Sequence, residues 1–326
     1  MIKNLIRPSL AEAGKIKIGG LGETRKSKRG GEYRLPQKYD HFVVTKTTKD
    51  ENDDFEVDAD IMQALSAASK GGPIREIPIV LHSDEIDLVF PTSLALYTGK
   101  RCACRGDGET ARRREIKDDR YTGNEKTIKC PCPYLNAETG PRCKPNGKLY
   151  CSIAVPGRAV AGAVHIWRTT SIISIQQMIG SLEQIKAVAG TMRGLPLALV
   201  VKPIRVEPAG GVATTVYVCH VELRARDLEQ VQAAALRAAE MRRRLGNNDA
   251  EYRALLQAPG VGETDEDQAD ISGEFYPENH ADLVTIIDDR PGTSPADLER
   301  ALENNNNPEH RDAVLPQGDA PFGPAE

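Results

Sequence analysis

The clearest pattern of apolar and polar positions lies in residues 149–224. Two short apolar runs, 149–155 and 162–167, are separated by a Pro-Gly pair and predict two consecutive strands. Two longer apolar runs, 195–206 and 214–223, flank a Pro- and Gly-rich turn and predict a second hairpin. Each run has the length of an ordinary strand and is bounded by turn residues.

A helical pattern separates these two pairs of strands. Its apolar stripe follows the spacing of one helix face and comprises Ile175, Met178, Ile179, Leu182, Ile185 and Val188. Ser174 and Gln177 have the spacing of a capping box, and Gly190 is the expected end of the helix. The segment therefore predicts the order β-β-α-β-β, with the helix covering one face of an antiparallel sheet.

The pattern before residue 100 is less regular. A β-branched and aromatic run at 39–45 predicts a strand, and residues 60–69 predict a short helix that ends at Gly71-Gly72-Pro73. Residues 77–81 and 86–90 predict two further strands around a Ser-Asp-Glu turn.

A second helix is predicted over about 227–245, with Asp227 as its N-cap. It ends in Arg242, Arg243 and Arg244, which place cations at the negative end of the helix dipole. Its Ala-rich composition allows it to protrude from the body or to pack against it.

Most of the cysteines are concentrated in one region of the chain. Six of the seven cysteines lie between residues 102 and 151, among many glycines and prolines and few apolar residues. We expect such a region not to bury a core of its own, so that paired thiolates holding a structural zinc would be the simplest way to fix it. Disulfides and unligated thiols are the alternatives, because the pairs are C-x-C rather than C-x2-C. A catalytic zinc is less favoured, since all-thiolate sites are usually closed.

Charge is distributed unevenly along the chain. Residues 247–326 contain 19 acidic and 4 basic residues, whereas residues 1–246 contain 28 acidic and 39 basic ones. The basic body favours nucleic acid or a partner bound to nucleic acid. The acidic segment from about 258 to 326 is predicted to be mostly disordered. No apolar run is long enough to cross a membrane, and we expect a cytoplasmic protein.

Together these patterns predict an α+β protein. Its body spans residues 1–246 and is built from antiparallel sheet with covering helices, interrupted by an inserted zinc-bound Cys-rich region at about 100–151. No His-, Ser- or Cys-based catalytic constellation, zinc-protease motif or nucleotide fingerprint is recognisable in the sequence. We therefore expect no enzymatic activity and no small-molecule substrate.

Several short motifs resemble a known family. They are Ile16–Gly20 with the run 28–42, Cys104–Gly108, Cys130-Pro-Cys132, Arg142–Pro145, and Val164–Ser171 leading into Gly180-Ser-Leu. Over about residues 5–225 the chain resembles the phage recombination directionality factor-like family. The resemblance implies a protein without catalytic activity that binds a large serine integrase, at the coiled-coil insertion of its zinc-bearing C-terminal region. It would switch the integrase from integration to prophage excision.

The resemblance also bears on the site residues. It aligns best at Cys104, Cys130, Cys132 and Cys143, which are the expected zinc ligands, with Cys102 and Cys151 in reserve. The flanking basic residues are the expected partner surface, and they are Arg101, Arg105, Arg112, Arg113 and Arg114. On this interpretation the partner is the integrase on attachment-site DNA, and direct DNA binding is weak or indirect.

The residues leave a second interpretation open. A zinc-containing single-strand or replication-associated DNA-binding protein would also use a basic body, with Trp167 and the tyrosines of the Cys-rich region for base stacking. Under the first interpretation, bare DNA should not be shifted in a gel unless integrase is added.

Overall fold

The computed structural model describes residues 10–26, 32–51, 54–118, 120–137, 141–155, 162–207, 213–245, 250 and 265–276. The strands, in chain order, are β1 Ala11–Lys26, β2 Glu32–Lys49, β3 Phe55–Val57, β4 Glu76–Val80, β5 Thr92–Thr98, β6 Arg101–Gly106, β7 Thr110–Lys117, β8 Arg120–Lys129, β9 Lys144–Ile153, β10 Ala163–Thr169, β11 Leu197–Val206 and β12 Thr214–Leu223. The helices are α1 Ala59–Ala68, α2 Ile86–Val89, α3 Ile172–Ala189, α4 Leu228–Leu245 and α5 Asp265–Phe275, and a 3-10 turn spans Pro133–Asn136.

The fold is α+β, with a mixed and mostly antiparallel sheet that branches at β9. One path runs β3-β2-β1-β10-β9-β5-β6-β7-β8, and β1 and β10 are its parallel pair. The second path runs β12-β11-β4-β9. The branch arises because β9 pairs with β5 through residues 144–147 and with β4 through Ser152 and Ile153. A single ten-residue strand therefore joins the two paths into one sheet.

The predicted β-β-α-β-β order is confirmed by β9, β10, α3, β11 and β12. The start of α3 differs from the prediction, because Ser171 is the N-cap and accepts a hydrogen bond from the backbone N–H of Ser174. Ser174 is fully buried, and its hydroxyl instead accepts from the backbone N–H of Cys219 in β12. Gly190 ends the helix in the left-handed conformation, as predicted.

The main core lies between α3 and the sheet. Ile175, Met178, Leu182 and Ile185 of the predicted stripe are buried there, while Val188 is exposed. Trp167 of β10 is fully buried and lies 6.2 Å, centroid to centroid, from the ring of Phe90. Cys219 is buried in the same core and packs there as a small apolar residue.

Helix α4 packs against the body rather than protruding from it. Ala238 contributes to the main core, and the guanidinium of Arg242 pairs with the carboxylate of Asp84. No helix in the described ranges is both long and apolar enough to cross a membrane.

Two predictions of local structure are wrong. Residues 86–89 form a helical turn instead of a strand, and Leu88 and Val89 are buried by it. The region 100–151 forms β6, β7, β8 and most of β9 in the main sheet, because short Gly-containing strands can pair at a sheet edge without a large core of their own. Of the acidic segment predicted to be mostly disordered, the structure describes residues 265–276, of which 265–275 form helix α5 and pack on the sheet. The rest of 258–326 lies outside the described residues.

Candidate interaction site

Four of the cysteines converge beside the β5-β6-β7 hairpins. Cys104 lies in β6, Cys130 and Cys132 follow β8, and Cys143 directly precedes β9. Cys104, Cys130 and Cys143 are buried in one small apolar cluster with Leu96 and Ala111, and the rings and side chains of Leu94, Ile128, Tyr134 and Leu135 pack around it. These cysteines are the four that the family resemblance singled out.

A β-bulge separates the two cysteines of the first C-x-C pair. Leu96 pairs with Cys104, but its neighbour Tyr97 pairs with Cys102, so Ala103 is the extra residue. Because adjacent strand residues point to opposite faces, Cys102 lies on the face of Tyr97 and Cys104 on the face of Leu96. The cluster contacts agree, since Cys102 packs with Tyr97 and α5 while Cys104 packs with the other thiols.

Cys151 is also remote from the thiol cluster. It is fully buried in the main core, and burial raises the pKa of its thiol to about 12. The two reserve ligands are therefore placed elsewhere, one by a bulge and one by its position in β9.

An arginine approaches the thiols from β7. The Nη2 of Arg113 donates a hydrogen bond to Cys132 Sγ at 3.3 Å, and its guanidinium lies 5.1 Å from the centre of the Tyr134 ring. Burial raises the pKa of Cys104, Cys130 and Cys143, and the neighbouring Arg113 charge opposes this shift at Cys104. These three thiols are consequently protonated at neutral pH unless a cation displaces their protons.

The side chains of this cluster are of a type that binds zinc, but they are not arranged around a common metal position. Four soft thiols converge, as a structural zinc site requires. Within the described ranges, however, no group of three or more His, Cys, Asp or Glu side chains is arranged to hold a metal ion. Zinc binding therefore stays a prediction, and a reduced cluster of small apolar side chains is the competing state.

The five predicted arginines do not form one surface. Arg113 pairs across the strands with Cys104 and points toward the thiols. Arg105 pairs with Arg112 on the opposite face, where Arg105 donates to the hydroxyl of Tyr97 at 2.9 Å. Arg112 and Arg114 both form ion pairs with Glu125 at 2.9 Å, and their side chains are 72% and 42% exposed.

A second charged surface lies on the α5 side of the sheet. Its cations come from β1, β2, β9 and β10, and they are Lys15, Lys17, Lys49, Lys144 and Arg168, here called the cationic face. The ammonium groups of Lys15, Lys17 and Lys49 lie 4.2, 4.8 and 5.1 Å from the centre of the Phe55 ring. Three ammonium groups therefore lie close together around one aromatic ring, where they are partly shielded from water.

Helix α5 presents acidic side chains to this face. Asp267 accepts from Arg168 at 2.9 Å, Asp270 pairs with Lys49 at 2.8 Å, and Glu274 pairs with Lys17 at 3.0 Å. Lys15 is 5% exposed, and its ammonium lies 2.9 Å from Glu12 and 3.8 Å from Asp270. The cationic face is thus electrostatically matched to the helix that covers it.

Sequence reasoning missed the cationic face because its residues are scattered from position 15 to 168. One signal was present, since Lys15 and Lys17 alternate with the apolar Ile16 and Ile18 and predict a strand with a basic face. Arg168 joins this face through the parallel pairing of β1 with β10. Lys49 joins it through the pairing of β2 with β1, and Lys144 through the pairing of β9 with β10. No local sequence pattern predicts these pairings.

The fold and its surfaces define an α+β protein with a mixed sheet, carrying a thiol cluster on one face and a cationic face on the other. A family model described as recombination directionality factor-like matches residues 13–224. The chain therefore belongs to the recombination directionality factor-like family. No curated protein and no solved structure matches it. The matched residues include the thiol cluster and the cationic face, whereas α5 lies outside them.

Proposed function

We propose that the protein is a recombination directionality factor that binds a large serine integrase and switches it from integration to prophage excision. The family match over residues 13–224 carries this proposal. Proteins of this family are typically accessory factors without catalytic activity, and on this proposal the chemistry of strand exchange belongs to the integrase. The protein would act in the cytoplasm of the bacterial host.

The physical mechanism required of such a factor is a shift of population. A binding partner changes which of two complexes prevails only by binding one more tightly than the other. Moving an equilibrium from 1:99 to 99:1 takes about 5.5 kcal/mol of differential affinity. A surface with a few well-placed charges and apolar anchors supplies that magnitude without an active site.

The exposed arginines of β7 are the proposed contact with the integrase–DNA complex. Arg112 and Arg114 are accessible and lie on a strand near the edge of the sheet, with Glu125 between them. Arg113 is better assigned to the thiol cluster, because it points to the other face. Arg105 is a secondary candidate because its guanidinium donates to the hydroxyl of Tyr97, and Arg101 is another because its guanidinium lies 5.6 Å from the centre of the Tyr121 ring.

The test of this contact is the double variant Arg112→Glu/Arg114→Glu, with Lys202→Glu in β11, on the other branch of the sheet, as a control. Complex formation with the purified integrase is measured by size-exclusion chromatography and titration. The double variant should stay folded and lose binding by about tenfold or more, whereas the control should bind as the wild type does. Equal binding of the double variant and the wild type would remove β7 from the contact.

We also propose that Cys104, Cys130, Cys132 and Cys143 bind one structural zinc ion. The convergence of these thiols on one side of the β6–β7 hairpin supports the proposal. The test is the metal content of protein purified without chelator. About one zinc per chain is expected, and it should be lost in Cys143→Ser but kept in Cys151→Ser, since Cys151 lies in the main core. A wild-type protein free of zinc would refute the site.

A DNA-binding protein is the second candidate, and the basic body favours it. Trp167 no longer supports this alternative, because its ring is fully buried and cannot stack on a base. A gel shift of single-stranded or duplex DNA without integrase would favour it over the directionality factor.

A further inference from the structure

Helix α5 is tied to the sheet through side chains. The Oε1 of Gln268 accepts from the backbone N–H of Cys102 at 2.9 Å, and the hydroxyl of Tyr276 donates to the carbonyl of Ala95 at 3.0 Å. The ammonium of Lys144 donates to the carbonyl of Phe275 at 2.7 Å. The strands beneath pair with one another, so leaving the face would break none of the sheet's ladders.

The helix also has an apolar anchor. Ile271 and Tyr276 are almost completely buried, and they pack with Ala95, Tyr97 and Cys102 of the sheet. The rings of Tyr276 and Tyr97 lie 4.8 Å apart, centre to centre. The bulge at Ala103 contributes to this slot, because it turns Cys102 toward the helix.

The acidic positions of α5 form a single stripe. Asp267, Asp270 and Glu274 are spaced i, i+3 and i+7, and each meets a cation of the cationic face. The occupant of the face is therefore an amphipathic helix with three acidic positions beside an apolar anchor. Any helix with the same pattern can make the same side-chain contacts.

We propose that the cationic face is a binding surface for an acidic amphipathic helix of the partner protein, and that α5 occupies it in cis until that helix displaces it. The proposal rests on the proposed function, because the integrase is the partner expected to supply the helix. It assigns α5 a regulatory role, since the protein binds its partner fully only after α5 has left.

The surface fits a helix better than nucleic acid. A phosphate backbone could replace the three carboxylates, but it has nothing to fill the slot of Ile271 and Tyr276. The apolar slot and the acidic stripe together select a helical protein segment.

Release of α5 can be produced in the full-length chain by charge reversal. The variant Asp270→Lys/Glu274→Lys places two cations against Lys49 and Lys17. Glu183→Lys on the exposed side of α3 is the matched control. Release is verified by faster hydrogen exchange at the Cys102 amide, with a far-ultraviolet helical signal that falls by no more than the contribution of α5. Tyr276→Ala is a second releasing variant that removes the anchor without changing the charge.

The first measurement needs no integrase. A fluorescent peptide spanning residues 263–278 is titrated into each protein. The released variants should bind it about 10- to 100-fold more tightly than the wild type and the control do, because the cis helix holds the face in those chains. For the charge-reversed variant the cationic face itself is unchanged. Equally weak binding to all proteins would overturn the proposal.

The second measurement titrates the purified integrase and, separately, duplex DNA. The released variants should bind the integrase about tenfold more tightly than the wild type. Equal affinity of wild type and released variants for integrase, or a gain for DNA instead, would overturn the proposal. If no form binds integrase while the peptide exchanges as expected, the proposed function fails and the partner assignment falls with it, although the face remains a helix-binding surface.

Discussion

The carboxylate of Asp84 gives the sharpest prediction about stability, because it joins three segments of the fold. Its Oδ1 accepts from the hydroxyl of Thr191 at 2.7 Å and from the backbone N–H groups of Met192 and Arg193 at 2.6 and 2.9 Å. Its Oδ2 pairs with Arg242 of α4 at 2.5 Å. The loop after α3 and helix α4 are therefore both held by one side chain.

Asp84→Ala should lower the free energy of unfolding by about 3–4 kcal/mol. Thr191 and Met192 are buried, and each donor left without an acceptor costs about 1–3 kcal/mol. Asp84→Asn keeps an oxygen that can accept these bonds and loses only the pairing with Arg242. Because that pair is about a quarter exposed, its loss should cost only about 1 kcal/mol.

Urea denaturation measures both values, with Trp167 as the reporter. It is the single tryptophan of the chain and is fully buried in the main core. A loss below about 1 kcal/mol for Asp84→Ala, or equal losses for the two variants, would contradict the reasoning that the buried donors dominate.

The same carboxylate predicts a dependence on pH. Burial alone would raise the pKa of Asp84, but hydrogen bonds from Arg193, Thr191 and Met192 and the charge of Arg242 lower it below its ordinary value. A lowered pKa in the folded state means that the unfolded state binds the proton more tightly. The stabilisation is then complete above the unfolded pKa, near 4, and is lost as the pH falls through the folded pKa. The stability gap between wild type and Asp84→Asn should therefore close at low pH.

Two further predictions concern packing and the cationic face. Gly147→Ala should destabilise the protein by about 1–3 kcal/mol, because a Cβ there would lie 2.5 Å from Cζ of buried Phe90. Gly180→Ala in α3 should instead stabilise it by about 0.5–1 kcal/mol, because a Cβ there would meet no atom within 4 Å. The two variants are distinguished by thermal melting. Phe55→Leu should keep the fold but raise the mobility of the lysines around the ring. In NMR spectra, the ammonium signals of Lys15, Lys17 and Lys49 should then differ less from one another in chemical shift. Unchanged spectra would show that the ring does not hold these lysines in place.

The regular half of the fold could be predicted from the sequence because its signals are local. The stripe of α3 and the flanking strands each have one dominant period, and Gly190 marks the end of the helix by its backbone preference. The start of α3 was misplaced by one turn because both Ser171 and Ser174 can cap, and only the contact of Ser174 with Cys219 decides between them.

The remaining features depend on contacts between distant segments. Ala103 forms a bulge only in the pairing of β6 with β5. The C-x-C motif alone therefore does not show that its two thiols lie on opposite faces of the sheet. Helix α5 has the composition of a disordered tail, and its order comes from the cations and the slot beneath it. The cysteines were easier to group, because four of them recur in family-like motifs and do converge in space.

Recombination in vitro with purified components is the direct test of the proposal that this protein reverses the direction of a large serine integrase. Purified integrase is incubated with plasmids carrying either the original pair of attachment sites or the hybrid pair, with and without the protein, and the products are quantified. We predict that the protein permits recombination of the hybrid sites and suppresses joining of the original pair. Without integrase it should neither cut nor join DNA. Unchanged recombination of both pairs by the cognate integrase would contradict it.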